Sequence, residues 1–353
     1  MEINTNNRIE YVDALRGFTM FFVVYHHIAY WCFDNIDLGY NEFFYKFIMP
    51  TFFFISGWVF YQKDRKWDKT TTFSILKKKF TRLIIPFLFF MLLYMYLFKG
   101  PEYQTTFDSK YGFWYLFSLF QYYAIYIGIE ALFNREQSNK KELGVMLFML
   151  VLSVISFYYE LVRFDYNLDI WRQILTILSF GKIKFIIFFW LGTFGKKNFE
   201  SFNRITDNQF VIAISLCIFF LCAIHSKQVY NSFNELKLAS FLLSGLTGTI
   251  IVYTFFRKNE NHFSKDKRLG RTIQYIGQRT LDIYLLHYFV LPYHMHEIGV
   301  WLFEHGYKSI DMLIILIISL WIISISLLIS KIIRLSPFLG HYLLGAKKAN
   351  IIV

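Results

Sequence analysis

Residues 11–31 read YVDALRGFTMFFVVYHHIAYW. The run is long and apolar enough to cross a bilayer as a helix, which takes about 20 residues. Yet it holds Asp13, Arg16, His26 and His27. Ionisable groups are expensive in hydrocarbon and turn toward a protein interior or a wet cavity. On a helix turning about 100° per residue, Arg16 and His27 lie roughly 20° apart around the axis and about 16 Å apart along it. Asp13, Met20 and Val23 share that stripe, whereas His26 points roughly 80° away. Asp13 lies about 21 Å from His27, too far to orient it. Its natural neighbour is Arg16, one turn along. The stripe therefore carries an ion pair near one end and an imidazole deep inside.

Runs of this length recur along the whole chain. Its 353 residues are 56% apolar and 22% aromatic, with 43 Phe, more than one water-soluble core would use. Ten spans are predicted, at 11–31, 43–61, 83–99, 112–133, 143–160, 173–194, 210–225, 239–256, 273–293 and 311–333. In lipid, backbone groups must be satisfied internally, so spans are helices or strands of a closed barrel. Continuous apolar runs of about twenty residues select helices. The expected fold class is all-α, a polytopic membrane protein of about ten transmembrane helices.

Charge sets the orientation. With the N-terminus inside, the inner segments hold 26 Lys and Arg and the outer segments 10, with Arg279 inside a span. That excess predicts both termini in the cytoplasm. The formal charge of +12 thus follows topology, and nucleic acid is not an expected partner. The two densest basic segments, QKDRKWDKTTTFSILKKKFTR (62–82) and RKNENHFSKDKRLGRT (257–272), are read as cytoplasmic loops. They serve orientation and attraction to anionic lipid, or form a rim for a phosphorylated cytoplasmic ligand.

No loop is long enough to fold alone and no internal repeat is seen, so 1–353 is expected to be a single transmembrane domain. The first span is too long and too charged for a cleavable signal and is expected to remain in the mature protein. Cys32, Cys217 and Cys222 lie in or beside apolar runs with no metal or disulfide spacing. His294 and His296 lack further ligands at metal-site spacing, so no metal is expected.

A second span repeats the first one's oddity: IQYIGQRTLDIYLLHYFVLPYHMH, residues 273–296. Counted from the cytoplasmic end, Arg279 lies near the depth of Arg16 and His287 near that of His27, with Asp282 between. A polar tunnel open to the cytoplasm explains both spans. An isolated buried pair between Arg279 and Asp282 explains only the second. The roles of Asp13, Asp282 and Glu160, the last at the outer end of the fifth span, stay open.

These residues resemble the acyltransferase family 3 integral-membrane proteins, which O-acylate surface glycans and related acceptors. DALRGFTMFFVVYHH resembles the family's opening helix, whose Arg and His fall on Arg16 and His27. MPTFFFISGWVF is similar to its second-span signature, with Pro50, Phe52, Phe53, Ser56 and Gly57. KKKFTRLIIPF is similar to the basic start of the third span, with Arg82 and Pro86. YGFWYLFSLF resembles an aromatic segment in which a His-Leu pair is common, but here Gly112-Phe113 stands in its place. LDIYLLHYFV resembles a late Tyr-Leu-x-His motif at Tyr284, Leu285 and His287. Each motif alone is weak, but five in order cover essentially the whole chain. The soluble esterase-like domain fused to some relatives is absent from this sequence.

The resemblance implies transfer of an acyl group, most often acetyl, from cytoplasmic acyl-coenzyme A to a hydroxyl of a glycan or lipid-linked sugar at the outer face. The enzyme would sit in the inner (plasma) membrane. Arg16, Arg82, Lys78, Lys79 and Arg279 are the expected holders of the cofactor's phosphates, a task suited to guanidinium forks. His27 would act as general base or as acyl-carrying nucleophile, with the base preferred. Ser56, Tyr284 or His287 would steady the oxyanion or set the His27 tautomer. A thioester is already activated, so no metal is needed. A permease for lipid-linked sugars fits ten spans with buried charges equally well. The ordered motifs and the basic rim favour the enzyme.

Overall fold

The computed structural model describes residues 9–34, 36, 38–98, 110–133, 139–162 and 170–346. Among them every regular element is helical. Five helices are long and apolar enough to cross a membrane: Asn41–Phe60, Lys69–Leu97, Lys141–Leu161, Asn234–Lys258 and Lys308–Ile333. They fall on the predicted spans 43–61, 83–99, 143–160, 239–256 and 311–333. A sixth arises if Phe199–Asp207 and Gln209–Ile224, bent by 71° at their junction, count as one.

The other predicted spans take different forms, each for a local reason. The first helix, Glu10–His27, carries Glu10, Asp13 and Arg16, and its final turn widens into a π-helix over Ile28–Cys32. Span 112–133 is one helix, Trp114–Phe133, with Trp114 and four Tyr. Span 173–194 is broken into Ile170–Ile177, a 3-10 segment Phe180–Phe185 and Ile186–Lys197, with Ser179 in the left-handed region between the first two. Span 273–293 is broken at Arg279 into Arg268–Gln278 and Thr280–Leu286, then passes into a 3-10 turn at His287–Phe289.

Part of the basic segment 62–82 is helix, not loop. Asp68 caps it, accepting the Thr71 N–H at 2.7 Å, and the Lys69–Leu97 helix carries Lys77, Lys78 and Lys79 on its first turns. This carboxylate is held down to about pH 2 by hydrogen bonds from the Thr70 hydroxyl and the Thr71 backbone. An anionic side chain at a helix start complements the dipole.

The chain divides into two compact units. The first comprises residues 1–55 and 198–329. Its centre is the contact between Glu10–His27 and Arg268–Gln278. A Cβ on Gly17 would strike the Ile273 carbonyl, and one on Gly277 would strike the Asp13 carbonyl. The two backbones thus meet through paired glycines, the close approach that small residues permit in membrane helices. On Lys308–Ile333, Leu313, Ile317, Leu320, Trp321 and Leu328 are exposed along one stripe, the arrangement of a face turned to lipid. Its inward Ser319 and Ser326 hydroxyls bond back to the carbonyls of Ile315 and Ile322, so the helix satisfies its own polar groups.

The second unit comprises residues 56–197 and 330–353. Gly57 lets its helix approach the Phe189 carbonyl in the same way. Phe60, Tyr123, Tyr126 and Phe189 form an aromatic cluster. The Pro337–Leu344 helix, capped by Ser336, packs on Lys69–Leu97.

Candidate functional site

The glycine contact in the first unit sets the depth of everything beyond it. One turn past Gly277, Thr280 accepts a hydrogen bond from Arg16 Nη2 at 3.1 Å. Arg16 Nη1 stands 4.0 Å from Asp13, which accepts from Gln278 Nε2 at 3.2 Å. Arg279 lies 3.7 Å from the buried Asp282. Both carboxylates therefore have guanidinium neighbours, each within its own segment.

Deeper along the same two segments, His27 Nδ1 and His287 Nε2 are 2.7 Å apart, with the rings stacked 8° from parallel. His287 Nδ1 lies 2.9 Å from the Ile283 carbonyl. A carbonyl only accepts, so Nδ1 of His287 donates, and in the neutral ring its Nε2 accepts. His27 must then donate from Nδ1, which leaves its Nε2 as a lone-pair acceptor. The Tyr288 hydroxyl donates to that atom at 3.2 Å. One directed chain results, from Tyr288 through His27 and His287 to the Ile283 carbonyl. His287 is fully buried, whereas His27 keeps part of its surface accessible. Of the pair, only His27 offers surface, and His287 lies behind it.

His26 faces elsewhere, as the helical wheel predicts. Its Nδ1 is 3.0 Å from Asn41 Oδ1 and its ring lies against Tyr45 at 4.6 Å. Tyr284 is buried, edge-on to Tyr288 at 6.2 Å and 6.1 Å from the His287 ring. Arg16 and His27 thus both face the 280–288 segment. The sequence alone does not single out Tyr288, Thr280 or Asn41. Tyr288 adjoins the histidine motif, but a tyrosine in an apolar run reads as an interfacial aromatic.

In the second unit, Ser56 Oγ is 3.0 Å from the Tyr115 hydroxyl. Lys78 and Arg82 are exposed on the Lys69–Leu97 helix. Lys79 Nζ lies 3.7 Å from the centroid of Tyr123 and 4.9 Å from that of Phe60. Glu160 is shared by Lys182, at 2.6 Å, and Lys184. In the first unit, His296 Nδ1 lies 3.1 Å from Asp34. Among the described residues no group of three His, Cys, Asp or Glu gathers as a metal site.

The family model described as an acyltransferase domain matches residues 9–331, nearly the whole chain. The chain belongs to acyltransferase family 3. It is therefore a membrane acyltransferase by family, and both histidines of the hydrogen-bonded pair lie inside the matched region. No curated protein and no solved structure matches it.

Proposed function

We propose that this membrane acyltransferase moves an acetyl group from cytoplasmic acetyl-coenzyme A to a hydroxyl of a surface glycan or lipid-linked sugar, with His27 as the general base. The observation that supports this most is the directed chain from Tyr288 to Ile283, which leaves the accessible His27 with its lone pair on Nε2. In the reaction, the acceptor oxygen attacks the thioester carbonyl while its proton passes to His27 Nε2. The imidazolium that forms is stabilised by His287 Nε2, which accepts from Nδ1–H. Collapse of the tetrahedral intermediate breaks the carbon–sulfur bond, and the same proton returns to the leaving thiolate. Tyr288, released from Nε2, is the proposed donor to the oxyanion, a role in which one aimed hydrogen bond is worth roughly a hundredfold or more. Positive charge suited to the donor's phosphates is offered by Arg16, held by Thr280, and Arg279 in the first unit, and separately by Lys78, Lys79 and Arg82 in the second.

The proposal includes ten crossings by one membrane domain, with both termini in the cytoplasm and the plasma membrane as location. The shorter and broken helices complete the five long ones. Mass spectrometry of surface polysaccharide from cells with and without the gene tests the function. An acetyl ester present only with the gene supports it, and identical polysaccharides refute it. A purified protein that transfers nothing from acetyl-coenzyme A refutes the donor.

A further inference from the structure

The second unit holds a cavity of about 120 Å³ that borders the 61–68 connection, well beyond the 10–15 Å³ one water requires and enough for a group of roughly ten heavy atoms. Its anchor is Arg65. The guanidinium lies 4.7 Å from the Phe60 ring centroid and 5.3 Å from that of Trp67. Its Nη1 is buried and has no hydrogen-bond partner among the described residues. That nitrogen is covered by protein, but Arg65 as a whole is only half-buried and lines the cavity, so the rest of its guanidinium is open to an acceptor.

The walls say which kind of acceptor. Trp67, Tyr126 and Trp190 line the cavity with aromatic surface. Its charged lining is balanced: Asp64, Glu130 and Glu142 against Arg65, Lys141 and Lys197, with Lys141 paired to Glu130 and Lys197 to Glu142. A balanced lining offers a polyanion no net attraction. It suits a flat, uncharged ring that accepts at a ring nitrogen and donates from an exocyclic amine. The guanidinium serves the first need and a carboxylate the second. Aromatic stacking supplies the rest of the binding.

We infer that this cavity is a nucleobase subsite, with adenine its ligand, Arg65 donating to a ring nitrogen and Trp67 stacking on the base. The inference rests on the proposed acyl-coenzyme A donor, whose adenine would lie here while its phosphates stay on exposed lysines such as Lys77 and Lys78 of the adjoining helix. The 61–68 connection, the start of the Lys141–Leu161 helix and the end of the Ile186–Lys197 helix build the cavity, and all border segments whose charge predicts a cytoplasmic side.

The test is titration of the detergent-purified full chain with coenzyme A, adenosine 3′,5′-bisphosphate and 4′-phosphopantetheine, for wild type, Arg65→Lys, Trp67→Leu and Trp67→Phe. Each variant is first checked for an unchanged melting temperature. Trp67→Leu should weaken coenzyme A and the bisphosphate by about tenfold, the worth of one stacked base. It should leave phosphopantetheine unchanged, and Trp67→Phe should restore most of the loss. Equal loss for phosphopantetheine, or no loss for coenzyme A, overturns the subsite while leaving the donor proposal standing. Wild-type binding of the bisphosphate that Trp67→Leu abolishes, with no acyl transfer from acetyl-coenzyme A, upholds the subsite and removes the donor proposal.

Discussion

The histidine pair of the first unit and the Arg65 cavity of the second are built on opposite plans. Around His27 each ring nitrogen has a partner, and the chain of donors runs one way from Tyr288 to the Ile283 carbonyl. Around Arg65 the charges are balanced, but the half-buried guanidinium lines the cavity with no hydrogen-bond partner for its Nη1 among the described residues. A closed network has little left to recognise and suits proton movement between fixed atoms, because its dipoles need not reorganise. An open donor in an aromatic cavity suits recognition.

Breaking the closed network should give the largest effect. His27→Ala is expected to lower acetyl transfer by at least about a hundredfold, the usual scale of a lost general base, at an unchanged melting temperature. His26→Ala, which removes the Asn41 hydrogen bond and ring contacts with Tyr45, Tyr30 and His27 but leaves the His27–His287 pair, should cost less than about tenfold. Equal losses, measured side by side in proteoliposomes, would undo the distinction between the two faces. His287→Ala should slow transfer less than His27→Ala. It should also move the pH–rate profile, because His27 loses the acceptor that fixes its tautomer and steadies its imidazolium. An unchanged profile would make His287 a packing residue.

Smaller effects probe the scaffold. Gly277→Ala drives a methyl group into the Asp13 carbonyl, and the helices must part. Thermal melting in detergent should register a loss of about 1–3 kcal/mol, the usual scale of overpacking, with transfer impaired beyond that of an equally destabilised control. The smallest effect concerns Asp68. Its carboxyl is depressed in the folded protein, so it contributes stability above its ordinary range near pH 4 and loses it as pH falls toward about 2. A stability difference between wild type and Asp68→Asn should be present at pH 6 and shrink through that window. A difference that grows on acidification would reverse the sign.

Five long helices were legible from hydropathy because length and apolar content suffice for an unbroken span. The breaks at Arg279 and Ser179 and the π-helical turn after His27 were not, because composition does not register backbone continuity. The match of His27 with His287 is legible from counting residues inward because the two segments run side by side in the same direction, from the Arg16–Thr280 contact to the histidine pair. Tyr288 escaped because an aromatic in an apolar run carries no sign of its hydroxyl's partner. Arg65 escaped differently. Within eight basic residues at 62–82 it counted only as topology charge, and nothing in the sequence separates a guanidinium held between two rings from its solvated neighbours.

The protonation of His27 is the most direct test of the account. Nitrogen-15 NMR of histidine-labelled protein in bilayers, with the His27 signals assigned by their loss in His27→Ala, reports which ring nitrogen carries hydrogen. With His27 as the base, Nδ1 should be protonated and Nε2 bare at neutral pH. A protonated Nε2 with a bare Nδ1 would point the chain the other way and leave His27 without the lone pair its proposed role requires.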